Sequence, residues 1–538
     1  MKLKGLGNRA YNIIFHTHTV AGIVISFALF VIFYAGAFSL FRHEIYLWEN
    51  QEARFEAPKV IDYDKALFEV DKTYSIDKHT IANVLLPNQH NPYIKVFGAF
   101  HDTDSTTKRI QASIDPKSYE INDLSNPKTT VGDTMYELHY FGQIPVVGLY
   151  ISGFVALFFL FASITGLLIH WQNIFTKFFS FITEGKWKQI WTNAHTVLGM
   201  IGLPFQIMYA ITGALFGLLT LLLLPSVLIL FNGDTDEVFK HIRPLDAIEL
   251  NQNAPLATNP ISLNHFIEAA TSDYPNHKVK SVSLLNYGLE DAIAMVYIDD
   301  IKGILSDGYV TFSMSDGMIV EKATTFPNEK TYAESVLSFL TKLHFGTFGG
   351  IFLKIIYFIL SMITCFMIVS GILIWKTARE NNNYTHKQKQ FHHRVTKTYL
   401  AICLSMFPAF ALLFIANKLV PMSLDDRAPI VEISFFFSWL CLTLIGLSWN
   451  SYAKLNKNYL LTGGILSLFV PIMNGAVTGD WFWITWYTFP VVAYVDIFWL
   501  FTGIISLFIV FNVLQVAKPE NTPLKDIKQK IVDFKLSN

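Results

Sequence analysis

The sequence predicts a polytopic α-helical membrane protein of about eight transmembrane helices, with a duplicated four-helix core and two extramembrane α+β domains. Three observations carry this expectation: an apolar composition, eight long apolar runs, and a histidine–glycine spacing that occurs twice. The chain has 538 residues, of which 52% are hydrophobic and only 15% charged, too apolar for an ordinary soluble domain. A net charge of −1 and 47 phenylalanines fit lipid-facing surface and give no reason to expect a nucleic-acid partner. Cys365, Cys403 and Cys441 each lie inside an apolar run, which supports neither a disulfide framework nor a cysteine metal site. The run from Thr19 to Phe41 is too long for a signal-peptide core and lacks a small-residue cleavage site after it, so it is expected to remain as the first span.

About 20 helical residues cross the roughly 30 Å of hydrocarbon. Runs of that length fall near residues 18–41, 143–170, 196–230, 347–375, 395–416, 430–449, 458–474 and 486–513. The expected division is 1–45 for the first span, 46–137 for one polar domain, 138–172 for span two and 190–231 for span three. A second polar domain follows at 232–342, then span four at 343–376 and an appended four-helix module with a tail at 377–538. Lys2, Lys4 and Arg9 precede span one; Lys177, Lys186 and Lys188 follow span two; Lys376, Arg379, Lys387, Lys389, Arg394 and Lys397 follow span four. Lys454, Lys457, Lys518, Lys525, Lys528 and Lys530 fall on that same side. By the positive-inside rule, both termini are expected in the cytoplasm and both polar domains outside.

The repeat organises these spans. His18 precedes Gly22 by four residues, with Gly36 fourteen further on, and His195, Gly199 and Gly213 keep the same spacing. His139 precedes Gly166 by 27 residues, as His344 precedes Gly371. The unit is helix, external domain, helix. In the second external segment, Ser262 to Tyr274 reads as a helix, followed by strand-like Lys278–Leu285, Ala292–Ile298 and Tyr309–Phe312 and a turn at Asp316-Gly317. The first has strand-like Tyr93–Phe100 and Arg109–Ile114 meeting a turn at Asp115-Pro116.

Topology places His18 and His195 at the cytoplasmic ends of spans one and three, and His139 and His344 at the outer starts of spans two and four. Neutral imidazole is a good axial ligand for haem iron, and bundle sites are built from facing helices. Two histidine pairs at two depths therefore suit two bis-histidine b-type haems, with Gly22 and Gly199 allowing backbone to approach a flat macrocycle. The plainer readings stand beside this one. A lone histidine at a helix end is more often interfacial, and Gly36, Gly166, Gly213 and Gly371 read as helix-packing positions. His16 points about 160° away from His18, and the repeat favours His18. His170 and His43 are the alternate ligands, and His392 and His393 open span five. Arg42 reads as a haem-propionate partner or an interfacial arginine. Asp496 inside span eight is a costly intramembrane acid whose partner the sequence does not name.

The pattern of His-x3-Gly in span one, Leu138-His139, Ala194-His195-Thr-Val-Leu-Gly199 and Ser370-Gly371-Ile-Leu-Ile-Trp375, with two external α+β domains, resembles the PepSY-associated transmembrane helix family. That family includes iron-regulated inner-membrane proteins and di-haem ferric-siderophore reductases of Gram-negative bacteria. The resemblance covers about residues 8–380. It implies a four-helix haem-binding core, two periplasmic PepSY-like domains, and reduction of Fe(III) in an imported siderophore with release of Fe(II). By position, it implies His18 and His195 for the cytoplasmic-side haem and His139 and His344 for the periplasmic-side haem. The electron donor would be a quinol or a cytoplasmic reductase. Two departures are the four added spans and the turn Asp115-Pro116-Lys-Ser-Tyr119, which lacks the usual glycine. A haem-free permease, or a membrane protein whose PepSY-like domains regulate a partner, is the competing expectation.

Overall fold

The computed structural model describes residues 7–88, 91–101, 107–123, 130–173, 176, 187–234, 237–238, 248, 251, 253–300, 307–324, 329 and 332–514. Lys2, Lys4, Lys177, Lys186, Lys518, Lys525, Lys528 and Lys530, used above for orientation, lie outside them. The chain divides into two units, 1–49 with 128–219 and 351–538, and 50–127 with 220–350.

The first unit holds the membrane helices, apart from residues 220–230 and Gly350, which fall in the second. Among the described residues, eight helices are long and apolar enough to cross a bilayer, as the apolar runs predict; in hydrocarbon only such a helix satisfies its own backbone. They are α1 (Asn8–Ser39), α5 (Val147–His170), α6 (Trp187–Leu230), α9 (Gly350–Ala378), α10 (His386–Leu419), α11 (Arg427–Ser448), α12 (Tyr452–Thr478) and α14 (Pro490–Phe508). Two short helices, α2 (Arg42–Glu49) and α4 (Val131–Tyr140), flank α1, and α13 (Phe482–Thr488) precedes α14. At 1.5 Å per residue α6 is about 65 Å long, roughly twice the hydrocarbon thickness. Its glycine Gly217 meets Gly153 of α5 so closely that a Cβ on Gly217 would stand 2.5 Å from the Gly153 Cα, the close approach that small residues permit between membrane helices.

One expectation is corrected. His139 does not open span two, because it sits near the end of the separate helix α4, which stops where Phe141 turns left-handed (φ 59°); span two begins at Val147. The second repeat does the same thing. Tyr332–Phe345 forms helix α8, Gly346 is left-handed (φ 62°), and span four begins only after it. In both repeats the break falls two residues past the histidine.

The second unit is built on an antiparallel sheet of eight strands in the order β4-β3-β2-β1-β5-β6-β7-β8. Its first half is β1 (Ala82–Leu85), β2 (Ile94–His101), β3 (Thr107–Ile114) and β4 (Ile121–Asp123), with helix α3 (Tyr63–Tyr74); its second is β5 (His277–Leu285), β6 (Ile293–Asp300), β7 (Gly308–Ser313) and β8 (Ile319–Ala323), with α7 (Leu263–Asp273). The two polar segments thus give one α+β half each, and β1 pairs with β5 through Val84↔Val282 and Asn83↔Ser283, joining the halves in one sheet over a shared core. A reciprocal cap ties the two helices. The Tyr63 amide donates to Asn264 Oδ1 (2.9 Å), and the Leu263 amide donates to Asp64 Oδ1 (2.8 Å). These are first-turn amides that have no partner within their own helix. Tyr119 (φ 62°) and Gly317 (φ 75°) close equivalent turns, since Tyr119 bonds Asp115 O and Gly317 bonds Ser313 O. The missing glycine is therefore replaced by a tyrosine in the left-handed region, where its hydroxyl receives the Asp62 amide (3.0 Å).

Candidate functional site

Three of the four predicted histidines are seated in the first unit by one device. His18 Nδ1 bonds the Ala162 carbonyl (2.9 Å) and lies 3.3 Å from Thr165 Oγ1. His195 Nδ1 bonds the Met367 carbonyl (2.9 Å) and lies 3.3 Å from Ser370 Oγ. His139 Nδ1 bonds the Ile32 carbonyl (2.8 Å). Each acceptor is four residues before a glycine, namely Gly166, Gly371 and Gly36, on the neighbouring helix. A Cβ there would meet His18 Cε1 at 3.1 Å, His195 Cε1 at 3.2 Å and His139 Nδ1 at 2.5 Å. The glycines leave room for an imidazole to lie on the helix and reach a carbonyl already used by the helix ladder. The histidine-to-glycine spacing in sequence thus marks seats across helices: His18 in span one uses Gly166 in span two, and His139 uses Gly36 in span one.

The chemical consequence follows from the tautomer. An Nδ1–H held by a carbonyl leaves Nε2 as the lone-pair nitrogen and fixes the ring plane, which is how ligating histidines are oriented. His18 and His195 are brought together, with ring centroids 6.3 Å apart. Two imidazoles that shared one metal through bonds of about 2 Å would have ring centroids about 6 Å apart. Along α1, the fourteen residues between His18 and Ile32 separate the His18 and His139 levels by about 21 Å at 1.5 Å per residue. Phe33, Phe205, Tyr209 and Tyr357 pack ring to ring at the upper level, with centroids 4.6–6.3 Å apart. His344 belongs to the second unit.

The remaining candidates fall differently. His16 and His43 are exposed, on α1 and α2. His170 ends α5 with Nε2 3.4 Å from Thr196 Oγ1. Gly22 has no neighbour within 4 Å, Gly199 faces Met367 Sδ at 3.4 Å, and Gly213 packs on Ala156. Arg42 is committed to Asp133, which its Nε reaches at 2.6 Å, and lies over the Tyr136 ring at 4.6 Å. Among the described residues no group of three or more His, Cys, Asp or Glu is placed to hold a bare metal ion. A histidine pair suits a metal that brings its other ligands with it.

Residues the sequence does not flag support these seats. The Glu49 carboxylate receives the Thr130 and Val131 amides (3.0 and 2.8 Å) and the Asn417 side chain (2.8 Å). It caps α4, whose own Thr130 makes no side-chain cap, and so holds the helix that carries His139. Asp496 acquires two donors, Trp48 Nε1 and Asn474 Nδ2, each at 2.8 Å. Lys418 lies over Trp48 at 3.8 Å and donates to its carbonyl (2.8 Å). The appended helices α10, α12 and α14 are therefore latched to α2 by a buried polar network. Burial pushes the Glu49 carboxyl up from 4.5 to about 7, outweighing the bonds from Val131 and Thr130. A raised folded-state value means that this group's contribution to stability is complete below the unfolded value and is lost as pH rises towards 7. Thermal unfolding followed from about pH 5 to about pH 8 should show that decline, and Glu49→Gln should flatten it.

Among the described residues, eight apolar helices and a half-buried histidine pair define a polytopic membrane protein of the helix-bundle type. Residues 15–377, more than half of the chain, match the family described as the PepSY-associated TM region, and the chain belongs to that family. No curated protein matches it.

Proposed function

We propose that this protein is an inner-membrane di-haem b oxidoreductase that passes electrons across the bilayer to a periplasmic ferric siderophore and releases Fe(II). The observation that carries this reading is the His18–His195 pair, seated through Nδ1 on two helices with rings at the spacing of one shared metal. His18 and His195 would hold one haem, and His139 would serve as a ligand of a second. Bound there, haem supplies one-electron chemistry at a potential set by ligands and burial. The chain's own part is to orient the imidazoles of His18, His139 and His195, to keep the core closed to water around Phe33, Phe205 and Tyr357, and to bring the chelate to the PepSY-like unit. One electron converts Fe(III) to Fe(II), which hard oxygen ligands hold far less tightly. The orientation follows from Arg9, Lys188, Lys376, Arg379, Lys454 and Lys457 at the ends that would face the cytoplasm. The donor is a quinol or a cytoplasmic reductase.

The test mixes the reduced, purified protein anaerobically with a ferric trihydroxamate and an Fe(II)-trapping dye. Expected is reoxidation of the protein with one Fe(II) trapped per electron lost, and loss of the reaction in His18→Ala and His195→Ala. A reduced protein that leaves the chelate untouched overturns the assignment of substrate.

A further inference from the structure

The end of α9 and the first two turns of α10 enclose a cavity of about 360 Å3 lined by Lys376, Arg379, Glu380, Lys389, His392 and His393, within the size range of small-molecule sites. Five of its six lining residues carry nitrogen donors. The one acid is already engaged, since Glu380 pairs with Lys376 one helical turn away. Among the described residues neither Arg379 nor Lys389, which line the same cavity, forms an ion pair with a carboxylate, and like charges gathered in one recess repel unless an anion lies among them.

The walls are fixed. Arg379 donates to the Trp375 carbonyl (3.1 Å) and lies over the Trp375 ring at 4.5 Å. His393 Nδ1 is bonded to the Tyr452 hydroxyl (2.7 Å), and Lys376 lies over the Tyr452 ring at 5.1 Å. His392 is clamped edge-on between Trp375 and Tyr384, with centroids 5.1 and 5.3 Å away. Its Nδ1 is buried without a hydrogen-bond partner, whereas buried polar atoms ordinarily have one.

We propose that this cavity binds a phosphate group, carried either by a phospholipid headgroup or by a phosphate-bearing solute. A guanidinium fork, an ammonium and an imidazole around one recess match a tetrahedral oxyanion, and charge-assisted bonds of this kind are the strong ones. Lys376 and Arg379 follow Gly371 by five and eight residues, about 7.5 and 12 Å along the helix. The bound phosphate thus sits at the His18–His195 end of the bundle, and the assignment does not depend on what those histidines hold.

The full chain is placed in nanodiscs of phosphatidylcholine with or without phosphatidylglycerol, and retained lipid is read by native mass spectrometry; in detergent, inorganic pyrophosphate is titrated by thermal shift. Retention of phosphatidylglycerol, about tenfold weaker in Arg379→Gln/Lys389→Gln and unchanged in Lys454→Gln, supports the site with a lipid as its ligand. A pyrophosphate shift in the wild type that disappears in the double variant supports it with a solute. Should the double variant not fold, His392→Asn is compared in the same way. Neither lipid retention nor a pyrophosphate shift, or equal loss in Lys454→Gln, overturns the proposal.

Discussion

Gly36→Ala is expected to eject the His139 imidazole from its seat. The added methyl would stand 2.5 Å from Nδ1 and 2.7 Å from Cε1, a separation no real carbon tolerates, and the ring can yield only by breaking its 2.8 Å bond to Ile32 O. At Gly166 and Gly371 the corresponding methyl meets Cε1 at 3.1 and 3.2 Å, where a ring shift of a few tenths of an ångström suffices. Alanine there should therefore be mild, and valine, whose branch fills the seat, severe. Because the glycine orients the ligand without being one, the expected loss is that of an orienting residue, about 10–100-fold in cofactor affinity. Haem content per chain, measured across the Gly36→Ala, Gly371→Ala and Gly371→Val series, checks the gradation. Equal retention in all three would remove the seat from the account.

Asp496→Leu should destabilise the protein by about 2–4 kcal/mol, because Trp48 Nε1 and Asn474 Nδ2 each lose a buried charge-assisted bond, Asn474 Nδ2 keeping only its 3.2 Å bond to Asp480 O. Asp496→Asn keeps one carbonyl oxygen for one of the two donors, so its cost should be about half of that. Thermal unfolding of the three proteins in one detergent gives the order. A Leu variant as stable as the wild type would show that the latch between α2 and the appended helices contributes nothing. This reading gives the intramembrane acid a holding role, which a fully partnered carboxylate fits better than a transport pathway does.

The eight spans were legible because apolar length is a local property, and the histidine–glycine repeat was legible because it needs only counting. What the glycines do was not. Gly22 and Gly199 are the sequence neighbours of His18 and His195, yet the seats are made by Gly166 and Gly371, which become neighbours only once the helices pack. Gly142 and Pro145 mark the break after His139, as Gly346 and Gly350 mark the one in the second repeat, but Phe141 and Ile144 keep the hydropathy high across the first. Glu49 as the cap of α4 and Trp48 as the partner of Asp496, 448 residues away, lie beyond any local pattern. In the sheet unit, the strands Ile94–His101, Thr107–Ile114 and His277–Leu285 follow alternation that the sequence displays. The pairing of β1 with β5 depends instead on the four-residue β1 of one half meeting the long β5 of the other.

The account rests on the His18–His195 pair holding a haem. Its most direct test is the reduced-minus-oxidised absorption spectrum of the purified, folded protein with haem quantified per chain, for the wild type and for His195→Ala. The account predicts a b-type spectrum with about two haems per chain, one for each histidine pair, falling to about one in the variant. A well-folded protein without colour, or a variant that keeps both haems, would contradict it.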